Sequence, residues 1–330
     1  MSKATKVLTK GELNRRGFLG AVATAGSLLL SGRPSRAATE IPRRTLGRTG
    51  ETVPILGLGA ACFGQCRTVS AAEATAICHE ALEQGIDFFD VARAYGKAEE
   101  VIGRFLEGRR DRVFLTTKAG GTRAREMGKS FEESLRLLRT DHVDLLYWHG
   151  MGGKNLDVAA EADGAFAWLE DQKRKGRARF VGFTSHSHPS AVARAIESGV
   201  ADVVMVPFNP VDRHIYGFEE KLLPKARSRG VGVLAMKVFG GPTGDEWSRY
   251  VEPDPGPQIG VERLEMAFRY AVSLPGVAGA VIGVHTRKQL REVAALARGF
   301  VPLDDAGLEQ VIEAGQRIAP GWNARFGPTT

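Results

Sequence analysis

IDFFDVARAYGKAEEVIG, residues 86–103, decides how the rest of the chain is read. Ile86, Phe88 and Phe89 make a short apolar run of the kind that forms a buried strand, and Asp90 stands where that strand leaves the core. Tyr95 follows five residues later, ahead of Gly96 and an acidic helix start. Two readings are open: a capped loop with a packed aromatic, or a place where protons are moved.

The same beat repeats along the chain. Residues 45–54, TLGRTGETVP, set turn formers between β-friendly flanks and predict a hairpin. Strand 55–58 is then followed by helix 71–84, and the strand ending at Asp90 by helix 99–107. Strand 113–117 delivers Lys118 and precedes helix 129–138; strand 143–148 delivers His149 and precedes helix 162–175. Strands 179–184, 203–208, 231–236 and 277–282 pair in turn with helices 190–197, 219–228, 260–273 and 287–297. Eight such units without a composition break predict an α/β chain folded as one (β/α)8 TIM barrel over residues 39–320, with an N-terminal β-hairpin. A doubly wound sheet is the competing architecture, but no G-x-G-x-x-G opens a helix after the first strand. The Gly/Pro-rich segment 240–257 reads as a lid or an excursion, 303–317 as an extra helix, and 321–330 as a loose tail.

The formal net charge of +7 does not describe a binding face. Lys3, Lys6, Lys10, Arg15, Arg16, Arg33 and Arg36 stand against Glu12 alone in residues 1–38, which leaves the remainder near neutral. That leader has a cationic start, an apolar run at 18–30 and a small-residue exit at Ser35-Arg36-Ala37-Ala38, the order of a cleavable export signal. The run is shorter than the roughly 20 residues of a spanning helix, so no stable membrane span is expected after cleavage. Arg15-Arg16 with Phe18-Leu19 resembles the twin-arginine signal, although Asn14 and Gly20 depart from its commonest flanks. The resemblance implies a periplasmic protein handled by the twin-arginine translocation machinery and cut near Ala37-Ala38.

Cys62, Cys66 and Cys78 cannot build a disulfide framework and read as small apolar fillers, though the first two are near enough in sequence to bond. His186-Ser187-His188 offers two imidazoles without a third ligand of clear spacing, and no metal is assigned. Lys173-Arg174-Lys175 reads as the solvated end of a helix, and no nucleic-acid motif is present.

In a barrel of this kind the carboxyl ends of the strands share one face. Asp90, Lys118 and His149 end three consecutive strands there, with Tyr95 just past the first. Singly each has a structural explanation, since Lys118 can snorkel, His149 can bond a carbonyl and Asp90 can neutralise a neighbour. Together they predict an active site.

Gly57-Leu58-Gly59, residues 90–103 with their D-x4-Y-G-x-x-E spacing, Thr116-Thr117-Lys118, Trp148-His149, residues 176–185, Phe208-Asn209-Pro210 and residues 282–292 resemble the aldo-keto reductase family. The likeness spans nearly all of 43–298. It implies a (β/α)8 fold, a nicotinamide cofactor held without a Rossmann domain, and reduction of a small carbonyl substrate to an alcohol. Hydride arriving at a carbonyl carbon leaves an oxygen that must be protonated and held as charge develops. A phenol's reference pKa is about 10, and an ammonium at about 4 Å favours its ionised form by something like 4 kcal/mol at an effective dielectric of about 20, before desolvation. Tyr95 is thus the expected general acid, Lys118 its tuner, Asp90 the anchor of Lys118 and His149 the group that orients the substrate oxygen.

By the same resemblance Thr184 and Ser185 hold the nicotinamide carboxamide, and Met205 occupies the position of the family's glutamine partner. Lys237, Gly240 and Gly241 neighbour the pyrophosphate, within a Met236-Lys237-Val238-Phe239 segment that replaces an aromatic-Ser-Pro-Leu pattern. His285, Arg287, Gln289 and Glu292 match the adenosine end, with Val293 where asparagine is usual. Arg287 facing a 2′-phosphate favours NADPH, with NADH the alternative. Two other functions fit the barrel: a nicotinamide-binding sensor or partner subunit of slow turnover, resembling potassium-channel β subunits, and a lyase using Lys118 as a Schiff base.

Overall fold

The computed structural model describes residues 40–66, 68–240 and 264–330. A two-stranded antiparallel hairpin, β1 (Arg43–Thr45) and β2 (Thr52–Pro54), comes first. Its turn requires Gly47, where φ is +55° and a Cβ would stand 2.2 Å from the backbone nitrogen of Gly232. This close approach buries Leu46 and Val53 completely, in the same cluster as the barrel's interior residues.

The barrel follows as eight parallel strands in sequence order: β3 (Leu56–Gly59), β4 (Phe88–Asp90), β5 (Phe114–Ala119), β6 (Val143–Trp148), β7 (Ala178–Thr184), β8 (Val203–Pro207), β9 (Gly232–Met236) and β10 (Val277–Gly283). β10 closes on β3, with Ile282 paired to Leu58 and Gly283 to Gly59. The predicted single-domain (β/α)8 barrel and its N-terminal hairpin are what the chain forms.

Strand alternation sorts the core into two layers. Phe88, Leu145, Tyr147, Val203 and Met205 belong to the interior cluster, whereas Phe89, Leu146, Trp148 and Val204 belong to the larger cluster beneath the helices. Stepping by two along the inner face leads from Phe88 to Asp90, from Phe114 to Lys118, from Tyr147 to His149 and from Phe180 to Thr184. The site residues therefore continue the interior layer upward, each at or just beyond the carboxyl end of its strand.

The helices between strands include α1 (Cys62–Gln65), α2 (Ala71–Glu83), α3 (Ala98–Leu106), α4 (Ala124–Leu138), α5 (Leu156–Ala159), α6 (Ala165–Arg174), α7 (Pro189–Glu197), α8 (Phe218–Ser228), α9 (Leu264–Ser273) and α10 (Arg287–Arg298); α11 (Asp305–Ile318) lies beyond. α4 begins five residues ahead of the predicted start. Gly128 looks like a breaker but lies inside the helix, and Glu126 accepts from the backbone N–H of Thr122 and Arg123 at 2.9 and 3.4 Å to start it. The 151–160 stretch, read as loop, contains α5, started by Asn155 accepting from Asp157 and Val158. The cationic run at 173–175 is paired: Lys173 donates to Asp202 at 2.6 Å, and Arg174 and Lys175 each reach Asp171 at 2.6 Å. The leader, and the 240–257 loop beyond Gly240, lie outside the described residues.

The C-terminal tail is docked, not loose. Trp322, only 4% exposed, donates from Nε1 to the buried carboxylate of Asp212 at 2.9 Å, and Arg325 reaches the same group at 3.3 Å. The Phe326 N–H donates to the Tyr216 hydroxyl at 2.7 Å, and the Pro328 carbonyl accepts from His188 N–H at 3.0 Å. Two aromatics in a Gly/Pro-rich segment carry too little periodicity to announce this, but their burial supplies the driving force. Trp322→Phe keeps an aromatic ring but is smaller and removes one donor from a buried carboxylate, so urea unfolding should show a loss of at least about 1–3 kcal/mol. Unchanged stability would mean that the tail contributes nothing.

Candidate active site

Asp90, 2% exposed, is held from two sides: Thr116 Oγ1 donates to its Oδ1 at 2.7 Å and Lys118 Nζ to its Oδ2 at 2.6 Å. Lys118 also donates to the Val91 carbonyl at 2.8 Å and is itself 1% exposed. Its Nζ lies 4.7 Å from the centroid of the Tyr95 ring, and that ring meets His149 edge-on at 5.9 Å between centroids. The four residues predicted from the strand ends thus form one contiguous group.

Burial would push the Lys118 ammonium down, but attraction to Asp90 and Tyr95 outweighs it and the pKa lies above its ordinary value. A Schiff-base lysine needs the opposite, a neutral amine, so the geometry gives the lyase reading no support. For Tyr95 the desolvation left out of the sequence argument decides the balance. Burial raises its pKa, the Lys118 charge and hydrogen bond pull it back only in part, and the result stays above the usual value. The phenol is therefore a protonated donor throughout the neutral range.

His149 is set down to about 3, by burial first and then by the charges of Lys118 and Lys154. Its ring is neutral at physiological pH. A histidine depressed in the folded state adds stability above its unfolded pKa of about 6.5 and loses it as pH falls towards 3. Turnover should accordingly show no imidazolium limb between pH 5 and 8, with any acid loss appearing below that window. A pH–rate profile with a midpoint near 6.5 that disappears in His149→Gln would contradict this.

Glu99 closes the D-x4-Y-G-x-x-E spacing, but the sequence assigns it no role, because an acid in the first turn of a helix is ordinary. It is fully buried, accepts from Thr117 Oγ1 at 2.8 Å and pairs with Arg93 at 2.5 Å, tying α3 to β5 beside Lys118 and bracketing the loop that carries Tyr95. Lys154 carries no comparable signal in the sequence. It donates to the carbonyls of His149 and Gly121 at 2.8 and 3.1 Å, and burial lowers its pKa to about 8. His186, one of the two imidazoles noted in the sequence, is kept neutral by burial and then by the charge of Lys237. His188 instead meets Ser187 Oγ at 2.8 Å, so the two histidines serve different neighbours.

The cofactor-site expectations fare unevenly. Thr184 Oγ1 accepts from the Gly150 N–H at 3.0 Å and so keeps its own proton for an acceptor such as a carboxamide oxygen. Ser185 spends its proton on the Ser187 carbonyl at 2.5 Å. Met205 packs inside the barrel, 1% exposed. Lys237 has a left-handed φ of +56° and its Nζ sits 5.7 Å from the Phe326 ring, while Gly240 N–H closes the turn on the Lys237 carbonyl at 2.9 Å; Gly241 lies outside the described residues. At the start of α10, His285 N–H donates to Gln289 at 2.7 Å, and Arg287 is engaged by Glu73 through its backbone N–H at 3.1 Å and its guanidinium at 3.7 Å. Glu292 is exposed near Lys288. An exposed helix N-terminus carrying an arginine suits a phosphate, and a Thr184 proton suits a carboxamide, so these residues fit a nicotinamide nucleotide.

L-Galactose dehydrogenase of Arabidopsis thaliana is 28% identical over 311 residues, covering 82% of this chain and 92% of that protein. An aldo-keto reductase of Schizosaccharomyces pombe, whose name specifies NADP(+), is 27% identical over 235 residues, 66% of each chain. In fold, an aldo-keto reductase from Bacillus halodurans in its holo form superposes with a TM-score of 0.66 at 24% identity, covering 84% of this chain and 96% of that one. With residues 55–315 matching the Aldo/keto reductase family, and the Asp90, Tyr95, Lys118 and His149 group assembled at the carboxyl ends of its barrel strands, the chain belongs to that family of oxidoreductases.

Proposed function

We propose that this chain reduces an aldehyde or ketone to an alcohol, with NADPH as the hydride donor and Tyr95 as general acid. The observation that carries the reading is the buried relay from Asp90 through Lys118 to a Tyr95 phenol that stays protonated, faced by a neutral His149. When bound, the nucleotide supplies hydride to the carbonyl carbon. Tyr95 then gives its hydroxyl proton to the oxygen as negative charge develops there, and Lys118 steadies the phenolate left behind. Asp90 keeps Lys118 charged and aimed. Neutral His149 donates one ring N–H to the same oxygen and orients it without adding a second positive charge.

Thr184 would hold the carboxamide, and the start of α10 with Arg287 the adenosine phosphates. The preference for NADPH over NADH rests on Arg287, which must leave Glu73 to meet a 2′-phosphate. The leader supports a further part of the proposal: export in the folded state by the twin-arginine route, with the nucleotide loaded before translocation into a periplasm where free nucleotide is scarce.

The protein is to be isolated from the periplasm, its bound nucleotide identified by mass spectrometry and its turnover measured over a panel of aldehydes and ketones with NADPH and NADH. NADP(H) in the isolated protein and NADPH-dependent reduction are the expected results. Nucleotide binding without turnover over the panel would favour the sensor instead. Failure to bind either nucleotide would end the proposal.

A further inference from the structure

Beside the catalytic group, and not used by it, lie two thiols and an imidazole drawn from opposite ends of the chain. We propose that Cys62, Cys66 and His285 form a site for a single soft cation of the Zn2+ class, with three protein ligands and one exchangeable position. Cys62 opens α1 and Cys66 caps its C-terminal end in extended conformation, joined by the Cys66 N–H to Cys62 carbonyl bond at 3.2 Å, so a single helical turn brings the two thiols near each other. Both sulfurs and a ring nitrogen of His285 lie within 4.8 Å of one another, and Cys66 Sγ stands 3.7 Å from His285 Nε2. With Zn–S of about 2.3 Å and Zn–N of about 2.0 Å, a tetrahedral ion sets its S···N edge at about 3.6 Å, so that pair is already placed.

The approach has a local cause. A Cβ at Gly283 would lie 3.3 Å from Cys62 Sγ, so the glycine at the end of β10 lets α1 settle against that strand. His285 follows two residues later, with its backbone N–H fixed by Gln289 and the α10 start capped by Thr286. Cys62 and Cys66 are 4% and 6% exposed while His285 is half-buried, so the ion's remaining coordination position would face outward past the imidazole. Two thiolates and an imidazole select Zn2+ over Mg2+ or Ca2+, which demand oxygen ligands. Sequence reading missed the site because its third donor is 219 residues from the second. The inference rests on donor geometry and not on the reductase reading, although its imidazole, His285, is one that reading sets at the adenosine end of the nucleotide.

The full chain, freed of metal and kept reduced, is titrated with Co2+ and then with Zn2+. One Co2+ per chain should bind with a sulfur-to-cobalt charge-transfer band and the visible bands of tetrahedral cobalt, and one equivalent of Zn2+ should bleach both. Cys66→Ser should weaken Zn2+ binding by roughly a hundredfold and diminish the charge-transfer band, thiolate being the soft donor the ion prefers. Cys78→Ala, whose thiol is buried beneath the helices, should leave both unchanged. In the unaltered protein Zn2+ should also protect Cys62 and Cys66 from alkylation, read by peptide mass spectrometry, which keeps the test valid if the serine variant does not fold. Absence of the charge-transfer band, a band of undiminished intensity in Cys66→Ser, or equal alkylation with and without Zn2+ would overturn the proposal.

Discussion

Tyr95→Phe is expected to lower carbonyl-reduction turnover by roughly 10²–10⁴-fold, the range a positioned general acid contributes. At about 1.4 kcal/mol per factor of ten, that is about 3–5 kcal/mol of transition-state stabilisation from one hydroxyl. Because the ring stays partly exposed and keeps its edge-on contact with His149, little folding stability depends on the hydroxyl. Nucleotide affinity should also survive, since the proposed cofactor contacts lie on β7 and at the start of α10. Single-turnover kinetics with saturating nucleotide separates the chemical step from binding, and thermal melts check the fold. Near wild-type reduction by the variant would assign the proton to another donor, with His149 the next candidate by position.

Much of this is legible in the sequence because of how barrels are built. A strand buried on both sides is a short, mostly apolar run, and an ionisable side chain at its carboxyl end marks the rim; Asp90, Lys118 and His149 are such residues. What period-2 alternation adds is that they share the interior parity of Phe88, Phe114 and Tyr147, so they point into the mouth of the barrel. The less legible features depend on side chains meeting across sequence. Glu99 looks like a helix-start acid until Thr117 is seen to donate to it, and Trp322 looks like part of a frayed end until Asp212 is found buried beneath it. The net electrostatic balance at Tyr95 is out of reach of the sequence for the same reason. The pair energy with Lys118 can be written from a distance, whereas the opposing desolvation depends on everything packed around the ring.

Lys118→Met should produce the largest combined effect on folding and chemistry. The variant fills nearly the same volume but leaves the Asp90 carboxylate buried with Thr116 as its remaining side-chain donor, and breaking a buried pair in this way costs about 3–5 kcal/mol. Urea unfolding should therefore shift to a markedly lower midpoint with an unchanged m-value. Asp90→Asn combined with Lys118→Met removes the orphaned charge as well, and stability should return close to that of the native chain, because a neutral buried pair escapes the desolvation penalty. Turnover should not return. Without the ammonium nothing offsets the burial of Tyr95, so its pKa climbs further and the phenolate left after proton donation loses its counter-charge. In the alcohol-oxidising direction, where the phenolate is the base, the rise in rate with pH should move to higher pH in both variants. A double variant that regains stability but not activity separates the two functions of Lys118. Equal stability of Lys118→Met and the native chain would mean that Asp90 does not depend on the lysine for its charge, and the relay from Asp90 to Tyr95 would have to be abandoned.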